Sequence, residues 1–388
     1  MPLVKKVRTA IVGCGVISTS YIESLQAKFS IIEIAGCYDR NVDKCRATAQ
    51  RYDIAELSWE QILDDPTIEM VINLTPPQAH YDVIKTLLNA GKHVYSEKIL
   101  TIDLAQSGEL LALAQANNCR LGCAPDTFLG ASVQTAKAIV DSGMIGEVTS
   151  CHCALNRDSA LFAEIFPFTS KAGGGIGFDV GIYYVTALLS ILGPVNEVSG
   201  YSRTRDKQRE YYFLDKLGES YEMECETLLS GTMLFENGSV GSLHFDSESI
   251  QIKPERPVLT LYGTKGVVYM ADPNKFGGDV RVILKGNSEP FVMQQAHGFS
   301  TESRGLGAAE MAWSLRKSEP HRASMEMAYH ALDILHSIVA SGESRTFKSI
   351  SSTFDLPNAL PSGFPGESYL GASEESSLAF SVSANKQS

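Results

Sequence analysis

Three sets of residues carry chemistry by their types and spacing. The first is Gly13-x-Gly15-x-x-Ser18, which follows an apolar run and opens a helical stripe, while Asp39 closes the next apolar run. Glycines so placed allow a tight turn and let the backbone approach a pyrophosphate at the start of a helix opened by Val16 and Ile17. Asp39 is placed to accept hydrogen bonds from the adenosine ribose, which favours NAD. Arg40 keeps NADP open, since a guanidinium can hold a 2′-phosphate or stack on adenine. The second is Glu97-Lys98, just past a short strand. A lysine beside a nicotinamide can polarise a substrate hydroxyl and stabilise the alkoxide as hydride leaves. Glu97 suits orienting Lys98 or the ribose better than acting as a base. The third is Asp179 and Tyr183, at i and i+4 where a helix begins, and so on one face. A free tyrosine titrates near 10, so Tyr183 needs a cation such as Lys98 to work near neutrality. These residues predict a cluster in which Tyr183 relays a proton and Asp179 orients the substrate. The simpler alternative has Tyr183 packing a helix and Lys98 acting alone.

The elements that must position these residues fall into two grammars. Over 1–125, buried strand runs (Val7 to Val12, Ile31 to Tyr38, Met70 to Leu74, His93 to Ser96, Arg120 to Cys123) alternate with helical stripes. That alternation predicts a doubly wound parallel sheet, a Rossmann domain of α/β class. Over 126–360, two tight-turn hairpins, one at Asn237-Gly238 and one at Thr264-Lys265, predict an α+β domain on a large, mainly antiparallel open sheet. Helices are expected at Ser132 to Ser142, Ile182 to Leu192 and Ala323 to Ser341. The segment 361–388, rich in Gly, Ser and Glu, reads as an extended or disordered tail.

The 388 residues carry 45 acidic against 33 basic side chains, a net charge of −12. That sign argues against nucleic acid and against an anionic membrane. No apolar run reaches the roughly 18 residues of a membrane span, and the N-terminus is too polar for a signal peptide. The eight cysteines include no CxxC pair, and Cys151-His152-Cys153 reads as a strand whose faces alternate. No metal site is expected, and the setting is read as the reducing cytoplasm.

Four motifs occur in order: Gly13-x-Gly15; Thr75-Pro76-Pro77-x-x-His80; Gly91-Lys92-His93-Val94-Tyr95-Ser96-Glu97-Lys98; and Gly173-Gly174-Gly175-x-x-x-Asp179-x-Gly181. Over about residues 7 to 355 the chain resembles the Gfo/Idh/MocA oxidoreductases. The resemblance implies an NAD(P)-dependent dehydrogenase acting on a secondary hydroxyl of a sugar, inositol or related polyol. It also implies a homodimer or homotetramer formed through the C-terminal sheet. Thr75, Pro76, Glu97 and Lys98 then belong to the cofactor pocket, and His80 either joins them or caps its helix. An NAD-dependent glycosidase that recycles its cofactor and a non-catalytic NAD-binding protein are the competing readings. Tyr183 stands where the family usually has a catalytic histidine, and Ile99 where it has proline. Asp126-Thr127 replaces arginines, which points to a neutral polyol. His321 and Arg322 read as solvated.

Overall fold

The apolar runs of the first domain have few polar positions because both faces of a parallel sheet are covered by crossover helices. The computed structural model describes residues 4–212, 214–249, 258–295 and 298–364. The expected tail lies outside the described residues from 365 onward; before that, Phe364 packs against Phe299 at 6.2 Å. Five strands, β1 (Val7–Val12), β2 (Ile32–Tyr38), β3 (Met70–Asn73), β4 (His93–Ser96) and β5 (Leu121–Cys123), form a sheet of order β2-β1-β3-β4-β5. Every neighbouring pair is parallel. Chain order reverses between β1 and β3, which opens a crevice at their carboxyl ends. The crossover helices are α1 (Val16–Lys28), α2 (Val42–Tyr52), a short α3 (Trp59–Asp64), α4 (Pro77–Asn89) and α5 (Leu104–Ala116). Side chains set where they begin: Asn41 caps α2, a Ser58/Gln61 capping box starts α3, and Asp103 caps α5.

The chain then passes through α6 (Ala131–Asp141) into β6 (Val148–Asn156), α7 (Ile182–Leu192) and β7 (Val195–Arg203). A small ribbon follows, formed by β8 (Gln208–Glu210) and β9 (Ser220–Glu222). Next come β10 (Leu228–Phe235) with β11 (Val240–Asp246), and β12 (Leu259–Gly263) with β13 (Gly266–Met270). Both pairs are the expected antiparallel hairpins. β14 (Arg281–Leu284), β15 (Phe291–Val292) and β16 (Lys348–Ser349) complete a nine-stranded sheet, β15-β14-β13-β12-β6-β11-β10-β7-β16. It is antiparallel except where β6 runs parallel to β11. α7 is buried along its whole length, as a helix enclosed on every side must be.

Two helices close the chain, α8 (Leu306–Lys317) and α9 (Met325–Ser344). Although they follow the second sheet, they pack back onto the first. α9 contacts β7 and β10 on one side and β5 and α5 on the other, and α8 touches β4 and β5. Arg316 grips Glu69 through two bonds, of 2.7 and 2.9 Å, and also donates to the carbonyls of Lys5 and Lys6. Cys123 N–H donates to Ala323 O at 3.1 Å. The two sheets are therefore joined by the chain end as well as by the linker after β5.

Candidate active site

The glycine-rich turn is set by close approach. Gly13 has φ +100°, and a Cβ there would lie 2.7 Å from the Leu74 carbonyl carbon, so the turn sits directly on the end of β3. Gly15 has open space where a Cβ would point, and α1 starts with no side-chain cap and no acid in its first turn. The first amides of α1, at exposed Val16 and half-buried Ile17, are thus left for an anion from outside. Asp39 Oδ2 accepts from Cys14 N–H and Oδ1 from Asn41 N–H, each at 2.8 Å. These bonds fix the carboxylate at the crevice mouth with lone pairs to spare. Arg40 is exposed beyond it. An uncapped helix start, an open glycine and a fixed carboxylate suit a dinucleotide.

Across the crevice, Thr75 hydroxyl donates to Asn73 Oδ1 at 2.7 Å, and Pro76 is exposed where α4 begins. One expected pocket residue proves to stand behind it. His80 is wholly buried, with Nδ1 2.6 Å from Ile99 O and Nε2 2.8 Å from Thr75 O. Both ring nitrogens are occupied, so no edge remains for a cofactor, and the ring does not cap α4. It is a strut between the Thr75 turn and the backbone after Lys98. Burial pulls its pKa down against the two carbonyls. Glu97 is buried as well: Tyr21 OH donates to its Oε1 at 2.7 Å, and Lys98 N–H to its Oε2 at 3.1 Å. It orients the Lys98 backbone, and each of its oxygens keeps a lone pair.

Lys98, Asp179 and Tyr183 meet. Lys98 Nζ donates to Asp179 Oδ1 and, at 2.9 Å, to Asp179 O. Its ammonium lies 5.6 Å from the centre of the Phe168 ring and 5.7 Å from that of Tyr183. The Lys98 and Asp179 side chains are only 12% and 14% exposed. Burial alone would lower the lysine pKa, but Asp179, Tyr183 and Glu97 outweigh it and hold the ammonium above its ordinary value. For Tyr183, burial raises the phenol pKa more than Lys98 and Arg304 lower it. At neutral pH both groups are therefore protonated. The Lys98–Ile99 peptide is cis.

Asp179 projects from a π-helical turn, Gly177–Gly181, that runs into α7. Glu226 Oε1 accepts Gly177 N–H at 3.0 Å, and any side chain on Gly175 would overlap that carboxylate. The glycine run thus admits the acid that anchors the turn. Arg157, which follows β6, lies 3.9 Å from Asp179 Oδ2 and stacks 4.7 Å over Phe162. The aromatic segment between β6 and α7 brings Phe168 to the Lys98 head.

Glu226 was not singled out from sequence. Arg304 stands against Tyr183, drawing its pKa down, and donates to Asn274 Oδ1 at 3.2 Å. The Asp126 reading needs correction. Its buried carboxylate accepts Gly305 and Gly307 N–H at 2.9 and 3.0 Å, so it anchors the start of α8 and is no guide to substrate charge. Arg322 and His321 are not solvated. Arg322 pairs with Glu310 at 2.7 Å and with Asn358 O at 2.8 Å. His321 packs on β5, where burial lowers its pKa to about 3.

A parallel sheet with an uncapped phosphate-type turn, opposite a buried Lys–Asp pair, defines a dinucleotide-dependent protein of two-domain type. Residues 7–124 match the family profile described as "Oxidoreductase family, NAD-binding Rossmann fold", and residues 133–269 match the GFO/IDH/MocA C-terminal domain. The chain belongs to the Gfo/Idh/MocA oxidoreductase family, and its N-terminal domain is an NAD-binding domain. It is 28% identical over 199 residues to an uncharacterized oxidoreductase, C115.03, of Schizosaccharomyces pombe, covering 48% of this chain and 52% of that protein. The chain spans about half the length of the fission-yeast relatives it matches. To the trans-1,2-dihydrobenzene-1,2-diol dehydrogenase of Bos taurus it is 22% identical, over 80% of this chain and 87% of that protein. The solved structure of a levoglucosan dehydrogenase in complex with NADH and levoglucosan superposes with a TM-score of 0.77 at 17% identity, covering 90% of this chain and 100% of that one. No helix among the described residues is long and apolar enough to cross a membrane.

Proposed function

We propose that the protein is an NAD-dependent dehydrogenase that moves hydride between a secondary carbinol carbon of a sugar, inositol or related polyol and the cofactor. The observation that carries this reading is Lys98: a buried ammonium at the carboxyl end of β4, two of whose three protons go to Asp179. The third is free to hold a substrate oxygen. Nicotinamide, when bound, supplies the hydride acceptor. Lys98 stabilises the developing alkoxide, Asp179 and Glu97 fix its head and backbone, and Tyr183 offers a neutral phenol as the proton relay. Phe168 and Phe162 supply apolar surface suited to the C–H face of a ring. The fixed Asp39 carboxylate favours NAD over NADP, because it would repel a 2′-phosphate. Gly13, Gly15, Val16, Ile17, Arg40, Thr75 and Pro76 are proposed to line the cofactor.

Apolar side chains left exposed on the second sheet, Tyr201, Leu234, Val240 and Tyr262 among them, support assembly of a homodimer or homotetramer there. Eight buried free thiols fit a reducing cytoplasm. The deciding experiment is a panel of free sugars and inositols assayed for steady NADH formation, with Lys98→Met beside wild type. Turnover should fall roughly 10²- to 10³-fold, with NAD affinity within a few-fold. Unchanged turnover would overturn the role of Lys98, and NADH formed only transiently, with glycosidic cleavage, would overturn net oxidation.

A further inference from the structure

Three cysteines far apart in sequence meet beneath the cofactor turn. Cys14 lies between Gly13 and Gly15, Cys37 lies near the end of β2, and Cys45 lies on the buried side of α2. Their sulfurs all stand within 4.8 Å of one another, with Cys37 Sγ and Cys45 Sγ 4.0 Å apart. They are 8%, 0% and 2% exposed. Their other polar contacts are long: Cys14 Sγ to Tyr38 O at 3.8 Å and Cys37 Sγ to Cys45 O at 3.7 Å, with Cys45 Sγ to Cys37 O at 3.3 Å. No other trio of His, Cys, Asp or Glu among the described residues comes as close.

An ion bound by three thiolates at about 2.3 Å in a plane sets its sulfurs about 4 Å apart. The trio already stands near that spacing. A disulfide would need about 2 Å between sulfurs, half the separation of Cys37 Sγ and Cys45 Sγ. Three thiolates and no imidazole or carboxylate select a soft ion.

We infer that Cys14, Cys37 and Cys45 form a three-thiolate site for a thiophilic d¹⁰ cation, and that filling it opposes NAD binding. The opposition follows from charge. Three neutral thiols that release their protons to a divalent ion become a complex of net charge −1. That charge sits against the turn that receives the pyrophosphate. Repulsion in a partly buried site weakens the dinucleotide roughly tenfold. By linkage, NAD must weaken the metal by the same factor.

The test uses the full-length, reduced, metal-free chain titrated with Cd(II). Thiolate-to-metal charge-transfer absorption should saturate at one equivalent. It should be lost in Cys37→Ser and in Cys45→Ser, and kept in Cys119→Ser and Cys225→Ser. One equivalent of Cd(II) should raise the NAD Kd roughly tenfold in wild type and leave it unchanged in Cys45→Ser, whose metal-free NAD affinity reports that it has folded. In wild type alone, saturating NAD should raise the Cd(II) Kd by the same factor, a measurement that needs no variant. Absorption that survives the loss of both Cys37 and Cys45, or an NAD affinity indifferent to Cd(II), overturns the inference.

Discussion

At the scale of single residues, the protonation of the site sets the direction in which it works best. Lys98 and Tyr183 both titrate above their ordinary values, so near neutrality the cluster is charged with protons. Reduction of a carbonyl consumes one; oxidation of a hydroxyl must shed one. kcat for oxidation should therefore rise between pH 7 and pH 10, as the small deprotonated fraction grows, while that for reduction stays level there and falls only at higher pH; a flat oxidation profile would remove proton transfer from this cluster. In Tyr183→Phe the oxidation rate should drop and its pH profile should change shape; a wild-type rate and profile would return the relay to Lys98 or water. Asp39 offers an independent check. Its carboxylate is held by two backbone amides, so Asp39→Ser removes a fixed negative charge from the ribose site. The NADP/NAD ratio of kcat/KM should rise by roughly tenfold or more, and an unmoved ratio would mean that another group reads the ribose.

At the scale of elements, α8 is held at its start by a carboxylate that resists ionisation. Burial, opposed by the Gly307 amide and Arg304, pushes the Asp126 pKa up to about 7. A carboxyl raised in the folded state binds its proton more tightly there than in the unfolded chain. Its contribution to stability is thus full below pH 3.8 and is lost as pH rises through about 7. Asp126→Asn, which still offers an oxygen to both amides, should gain thermal midpoint relative to wild type between pH 5 and pH 8; a difference constant over that range would refute the assignment. α8 also shows what the sequence concealed. β4 and α7 were legible to the residue, because a strand covered on two faces and a helix enclosed on every side both leave nearly unbroken apolar runs. Leu306–Lys317 shows no such run: Gly307, Glu310 and Ser314 interrupt Leu306, Ala308, Ala309, Met311, Ala312 and Trp313, although all nine are buried. The candidate site divides in the same way. Gly13, Asp39, Lys98 and Asp179 sit at strand ends or turns that punctuation reveals. Glu226, Arg304 and the Cys14 cluster depend on β10, the approach to α8 and α2 coming to particular places, and no local spacing encodes that. His80 misled for a related reason, since a polar residue in a motif can face the core as readily as the ligand.

At the scale of the whole molecule, α9 belongs to both sheets, and Arg316 ties α8 to Glu69 beside β3. Unfolding of either sheet strips α9 of a partner. Calorimetry should show one cooperative transition rather than two. Saturating NAD, at a hundredfold over its Kd, should stabilise the whole unit by about 2.7 kcal/mol, although the dinucleotide domain alone binds it. Two separated transitions, only one of them responsive to NAD, would show that α9 does not couple the sheets. The arrangement also has a consequence in time. A ribosome delivers β1 to β5 first, but the side of β4 and β5 that α8 and α9 cover stays bare until residues beyond 306 have emerged. The cofactor half is thus the first to be synthesised and among the last to be finished. A nascent chain must carry that exposed apolar surface through the making of the entire second sheet, and a message truncated anywhere before α8 yields a product that displays it permanently to chaperones and proteases.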